Sequence, residues 1–89
     1  MKQHYIIQIQ GDYQRLERKL DKYLERKTEA RTELDIGDLI TLKNGSTMIL
    51  NKKEDHLEII VATTDEYLQR AMNTLSKCVM PEQIEYRLI

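Results

Sequence analysis

The sequence predicts a small α+β domain, a two-layer sandwich in which a mainly antiparallel sheet of about five strands carries two helices on one face. Three observations predict this class. Apolar and polar residues alternate in several short segments, as they do in half-buried strands. Two longer segments repeat their apolar residues at helical spacing. An Asn-Gly pair between two β-rich runs indicates a hairpin, whose strands run antiparallel.

The first strand and the first helix follow one another directly. The segment HYIIQIQ, His4 to Gln10, alternates from Tyr5 onward, so we interpret it as a strand. After Gly11, the carboxylate of Asp12 can cap a helix that runs from about Tyr13 to Glu29. The helix gathers its apolar residues into one stripe, formed by Tyr13, Leu16, Leu20, Tyr23 and Leu24.

The clearest local signal is the segment LITLKNGSTMIL. Its Asn44-Gly45 pair predicts a two-residue type I′ turn, because both turn positions need a positive φ and these residue types tolerate it. Such a turn would place Leu42 opposite Thr47 and Ile40 opposite Ile49.

Three further segments are interpreted as strands: TELDI before the hairpin, LEIIVA after it, and QIEYRLI at the end. Thr63 and Glu66 form a capping-box pattern that opens a second helix, and Pro81 stops that helix. The predicted order is β-α-β-β-β-α-β in a single domain over residues 1–89. This order resembles the broad ferredoxin-like class with an extra strand, a resemblance of fold that implies no activity.

Composition excludes several classes of function. Hydrophobic residues make up 40% of the chain and charged residues 33%, which is typical of a globular protein. The net charge of −1 gives the whole molecule no strong attraction to nucleic acid or anionic lipid. One cysteine allows no intramolecular disulfide, and no apolar run approaches the roughly 18 residues of a membrane span. The first residues do not resemble a signal peptide, so a cytoplasmic protein is expected.

Catalytic motifs are scarce in this sequence. It has no Gly-rich phosphate loop, no CxxC and no HExxH. Cys78 is expected to be a partly buried structural cysteine near the end of the second helix. His56 follows Glu54-Asp55 and could be half of an acid–base pair, but no nucleophile lies nearby in sequence. We therefore expect no enzymatic activity and no cofactor.

Glu33, Asp35 and Asp38 are the best metal candidates. Alternation places Glu33 and Asp35 on one strand face, and Gly37 allows the backbone to bend Asp38 toward them. Clustered carboxylates suit Mg²⁺ or Ca²⁺. The interpretation that we favour is a solvated strand edge whose charges oppose aggregation, with no metal bound.

The first helix also carries a basic stripe beside its apolar one, formed by Arg15, Arg18, Lys19, Lys22 and Arg26. An acidic flank of Glu17, Asp21 and Glu25 lies on the other side, and Arg18 with Asp21 and Lys22 with Glu25 are within i,i+3 reach. The stripe is either an ordinary solvated surface, a face that docks a protein partner, or a nucleic-acid contact. Because acids lie close by and no aromatic residue interleaves with the bases, nucleic acid is the least favoured of the three.

The predicted hairpin is apolar on both faces, with Leu39, Met48 and Leu50 on the face away from Ile40 and Leu42. A sheet with one wet face should alternate more cleanly, so the second face predicts an interface and a homodimer. The expected function is therefore a non-enzymatic protein-binding module, a regulator, adaptor or inhibitor that docks on a larger assembly. Its partner-binding residues would be Arg15, Arg18, Lys22, Arg26, Met48 and Leu50. The alternatives are a nucleic-acid-binding module using the first helix, and a small metal-dependent hydrolase or phosphodiesterase.

Overall fold

One antiparallel sheet of six strands runs through the whole molecule, and the computed structural model describes all 89 residues, Met1–Ile89. The strands are β1 (Gln3–Gln10), β2 (Thr28–Leu34), β3 (Gly37–Leu42), β4 (Thr47–Lys52), β5 (His56–Thr63) and β6 (Ile84–Leu88). The helices are α1 (Gln14–Lys27) and α2 (Asp65–Leu75), and a single 3₁₀ turn, Pro81–Gln83, leads into β6. The spatial order of the strands is β2-β3-β4-β5-β1-β6.

The predicted α+β class with two helices is confirmed, but the sheet has six strands rather than about five. The element order is β-α-β-β-β-β-α-β, because both arms of the central hairpin must be counted beside the strand that precedes it. That preceding strand is also longer than the segment TELDI, since α1 ends at Lys27 and β2 begins at Thr28. The β2–β3 hairpin extends one edge of the sheet, so the ferredoxin-like order holds only roughly.

Both helices pack on the same face of the sheet. Leu16 and Leu24 of α1 and Leu68 and Leu75 of α2 are buried in one cluster with side chains from β1, β3, β4 and β5. The strand residues in this cluster alternate along the chain, because successive side chains of a strand point to opposite faces. They are Tyr5, Ile7, Ile9, Ile40, Leu42, Leu50, Leu57, Ile59 and Val61. Neither helix combines the length and the apolar character needed to cross a bilayer.

Local hydrogen bonds fix where the helices begin. At α1 the N-cap is Tyr13 and not Asp12, and no side chain caps the helix; the Asp12 carboxylate accepts from the backbone N–H of Gln14, the first residue of α1, at 3.0 Å. At α2 the N-cap is Thr64 and not Thr63, and its hydroxyl accepts from the N–H of Tyr67 at 3.3 Å. Thr63 instead ends β5 and is buried.

The turn between β3 and β4 is not a two-residue type I′ turn. Only glycines have positive φ in this chain, so Asn44 cannot take the left-handed conformation that type I′ requires. The N–H of Leu42 donates to the carbonyl of Ser46 at 2.8 Å, and the N–H of Gly45, at φ +88°, donates to the carbonyl of Leu42 at 3.0 Å. These bonds define a three-residue loop, a type I turn followed by a left-handed glycine. The Asn44 carboxamide supports it by accepting from the N–H of Ser46 at 2.8 Å.

The longer loop shifts the pairing of β3 and β4 by one residue. Ile40 pairs with Met48 and Leu39 pairs with Ile49. Because strand side chains alternate, a shift of one residue exchanges the two faces of β4. The prediction that Met48 and Leu50 lie on a partner-binding face is therefore wrong. Leu50 is only 2% exposed in the core, and Met48 packs half-buried against that core.

Candidate functional site

The face of the sheet opposite the helices carries a row of apolar side chains. Leu39 pairs with Ile49, Ile49 with Ile60, and Ile60 with Ile6, so the four are direct neighbours across four strands. We call these four residues the open-face row. None of them is buried, no helix covers them, and Leu39 is 37% exposed. The sequence prediction of a second apolar face is thus correct for Leu39, but Ile49 lies on that face in place of Met48 and Leu50. Ile60 of β5 and Ile6 of β1 extend the face beyond the hairpin.

Two different rows flank the open-face row. On one side the same pairings place small and hydroxyl-bearing residues, Ala30, Thr41, Thr47 and Ala62, with His4 at the end. On the other side they place polar and acidic residues, Asn51, Glu58, Gln8 and Glu85. The Gln8 carboxamide donates to the Glu58 carboxylate at 3.3 Å. Apolar character is therefore concentrated in the middle of the open face.

The basic stripe of α1 is fully on the outside of the molecule, and all five of its residues are exposed. None of them makes an ion pair, and the pairs predicted for Arg18 and Lys22 do not form. The acidic flank turns instead toward Lys52 at the end of β4, whose ammonium lies 3.5 Å from both Glu17 and Asp21. The positive charge of the stripe is left without a close counter-charge.

The three metal candidates do not form a cluster. Asp38 faces Glu33 across the β2–β3 pair, and the Arg31 guanidinium donates to the Asp38 carboxylate through Nε at 3.1 Å. Asp35 lies in the turn between these strands. No group of three or more His, Cys, Asp or Glu residues is placed to hold a metal ion.

The Asp55–His56 pair forms a hydrogen bond in an exposed turn, with His56 Nδ1 2.8 Å from the Asp55 carboxylate. This bond lowers the pKa of Asp55, as do a hydrogen bond from the Asp55 backbone and, to a lesser degree, the charges of His56 and Lys53. A lowered folded-state pKa adds stability above the ordinary carboxyl pKa that is lost as pH falls through the folded value. The effect is small, because Asp55 is solvated. Cys78 is half-buried and its thiol donates to the Thr74 carbonyl at 3.5 Å.

A pocket of about 600 Å³ lies between α1 and α2, above the sheet. Ile7, Ile59 and Val61 lie at its base, and apolar residues of both helices form its walls. Its charged lining residues are all basic: Lys19, Lys27, Lys43 and Arg70. Sequence reasoning missed this pocket, because helical periodicity shows which residues face the sheet and not how far apart two helices lie. No sequence signal could have found it, because the partial burial of Leu20 and Tyr67, which line the pocket, is visible only in the folded chain.

No protein-family model, curated protein or solved structure matches this chain.

Proposed function

We propose that the chain is a non-enzymatic protein-binding module, and that its first partner is a second copy of itself, bound through the open sheet face. The observation that carries this proposal is the open-face row, Leu39, Ile49, Ile60 and Ile6, which crosses four strands without a covering helix. A contiguous apolar patch at the centre of a surface, with a polar rim, is typical of a protein interface.

The pattern of the open face suits a symmetric dimer. A two-fold axis that lies between two stacked sheets and runs along the strands sets Leu39 against Ile6 of the other copy, and Ile49 against Ile60. The same two-fold rotation acts on the flanking row of polar and acidic residues. It sets Glu58 of one copy against Asn51 of the other, so that the two Glu58 carboxylates do not face each other. Because the strands of two stacked sheets cross at about 30°, residues far from the two-fold axis face each other only approximately.

The size of the face suits an interface of moderate strength. Six strands about 4.8 Å apart and about seven residues long give a face of roughly 29 Å by 23 Å, or roughly 650 Å². A standard interface buries about 800 Å² on each partner. The face is therefore close to the size of a standard interface, and we expect the dimer at high micromolar concentration of the chain.

The dimer would leave α1 of each copy facing outward, since the helices cover the opposite side of the sheet. Its basic stripe would then be free to dock an acidic surface of a larger assembly, where charge fixes orientation and association rate more than affinity. In this role the chain acts as a regulator, adaptor or inhibitor. A second candidate, nucleic-acid binding, is favoured by one observation: none of the five cations is neutralised by an ion pair.

Dimerisation is tested with Ile60→Lys. Ile60 lies in the middle of the open-face row, so a lysine there would place two ammonium groups in the apolar centre of the dimer. Analytical ultracentrifugation should show a dimer for the wild type at high micromolar concentration and a monomer for the variant, with unchanged circular dichroism. Gln69→Lys, on the exposed surface of α2, should still dimerise. A wild type that sediments as a monomer throughout would refute the proposal.

The basic stripe is tested by reversing Arg18 and Lys22 to Glu. Titration of duplex DNA and duplex RNA at two salt concentrations separates the two candidates, because phosphate contacts give a steep salt dependence. We expect weak binding near physiological salt, little changed by the reversal. The matched control reverses Lys53 and Lys77, two exposed cations outside α1. Sub-micromolar duplex binding that is lost only in the α1 variant would establish the nucleic-acid candidate instead.

A further inference from the structure

The pocket between α1 and α2 points to a binding site for a small molecule. We propose that it takes a single-chain amphiphile with a carboxylate head, a fatty acid in chemical class. This site lies on the helix side of the sheet, so the proposal does not depend on dimerisation through the open face.

The body of the pocket suits an apolar chain. Its volume of about 600 Å³ lies within the range of about 300–1,000 Å³ that is usual for small-molecule sites. Of its twelve hydrophobic lining residues, seven belong to the buried core, and the apolar surface that still meets solvent comes from Leu20, Tyr23, Met48, Tyr67 and Ala71. An alkyl chain between the helices would remove this surface from water, which is favourable in proportion to the apolar area covered.

Polar groups among the lining residues are concentrated near the β3–β4 turn. The backbone N–H of Lys43 donates to the carbonyl of Lys27 at 2.9 Å, which holds these two cation-bearing residues side by side where α1 ends. Neither lysine makes an ion pair. Beside them lies a buried hydroxyl pair, in which Ser46 Oγ and Thr63 Oγ1 are 2.7 Å apart and each residue is 3% exposed. Two ammonium groups, and the one hydroxyl of the pair whose hydrogen is not used between them, are suitable donors to a carboxylate head.

The charge of the lining selects among possible occupants. No acidic residue lines the pocket, whereas Lys19, Lys27 and Lys43 do and make no ion pair; the fourth basic residue, Arg70, is already paired with Glu66 at 2.9 Å. An amine would therefore be repelled, and a neutral alcohol would leave the lysines without a counter-ion. A polyanion such as nucleic acid would use the cations but could not fill the apolar body. An amphiphile with one anionic head uses both parts of the pocket.

The head group is tested by calorimetric titration of the full chain with dodecanoate, dodecanol and dodecylamine below their micellar concentrations. We expect dodecanoate to bind tighter than dodecanol by about tenfold, and dodecylamine to bind weakest. Reversing Lys27 and Lys43 to Glu should remove the preference for dodecanoate. Reversing Arg18 and Lys22, which do not line the pocket, should keep it. Equal affinity for the acid and the amine would overturn the proposal.

The location of the site is tested by filling the pocket. Ala71 lies on the α2 wall and is exposed, so Ala71→Phe places a ring in the space of the alkyl chain without disturbing the core. Dodecanoate binding should fall below detection in this variant. Gln69→Phe puts the same ring on α2 away from the pocket and should bind like the wild type. Equal binding by both variants, or no binding by the wild type, would overturn the proposal.

Discussion

Leu50→Lys is expected to unfold the domain, whereas Ile49→Lys, one residue earlier, is expected to leave it folded. Leu50 is 2% exposed under the helices, and Ile49 lies in the open-face row. Truncation of a buried leucine to alanine already costs about 2–5 kcal/mol, and a buried lysine adds the desolvation of its charge. A domain of this size has a total stability of about 5–15 kcal/mol or less. Circular dichroism and urea denaturation of the two variants give the comparison.

The same pair of variants tests the register of the central hairpin. A two-residue turn would set Ile49 in the core and Leu50 outside, so the two outcomes would be exchanged. A folded Leu50→Lys variant and an unfolded Ile49→Lys variant would therefore show that β3 and β4 pair in the register of a two-residue turn, and not with Ile40 opposite Met48.

Gly37→Ala is expected to cause the largest loss of stability among the glycine substitutions. A Cβ at this position would lie 2.5 Å from the carbonyl oxygen of Leu50 and 3.0 Å from its carbonyl carbon, and both are backbone atoms that cannot move aside. Its φ of +133° is also a conformation that side-chain-bearing residues rarely adopt. Backbone strain alone costs about 1–3 kcal/mol, and separation of β3 from β4 adds to that cost. The midpoint and slope of urea denaturation measure the loss.

Gly11→Ala is the matched control for this substitution. Gly11 also has a positive φ, +80°, but a Cβ there would meet only the Gln83 side chain, at 3.5 Å. This variant should show the strain without the clash and should lose less stability than Gly37→Ala. If both variants lost the same stability, the close approach of the Leu50 backbone would not be the reason that position 37 requires glycine.

Periodicity predicted the elements with one clearly buried face. The alternation of Leu57, Ile59 and Val61 and the helical spacing of Leu16 and Leu24 describe those elements correctly, because each buries one continuous set of side chains. The hairpin register could not be predicted in the same way. Asn-Gly fits both a type I′ turn and a type I turn with a left-handed glycine, and β4 is apolar at three successive positions.

Contacts between residues distant in sequence determine the features that periodicity could not predict, the hairpin loop and the ion pairs of α1. Burial of Ser46 against the Thr63 hydroxyl and the bond from the Ser46 N–H to Asn44 favour the longer loop, and only the first of these depends on the folded sheet. Likewise Lys52, far from α1 in sequence, pairs with Asp21 in place of the predicted partner Arg18, and it also pairs with Glu17. The exposed basic stripe was predicted correctly, because its position requires only helical geometry.

The position of β1 inside the sheet has a consequence for synthesis of the chain. Its partners are residues 56–63 of β5 and 84–88 of β6, both far away in sequence. Tyr5, Ile7 and Ile9 therefore leave the ribosome before both of their partner strands and stay unpaired at least until β5 has followed. Strands β2 to β5 form consecutive hairpins that can assemble early, whereas β1 must close long loops. During that interval a nascent chain exposes an apolar strand, which is the kind of segment that aggregates or recruits chaperones.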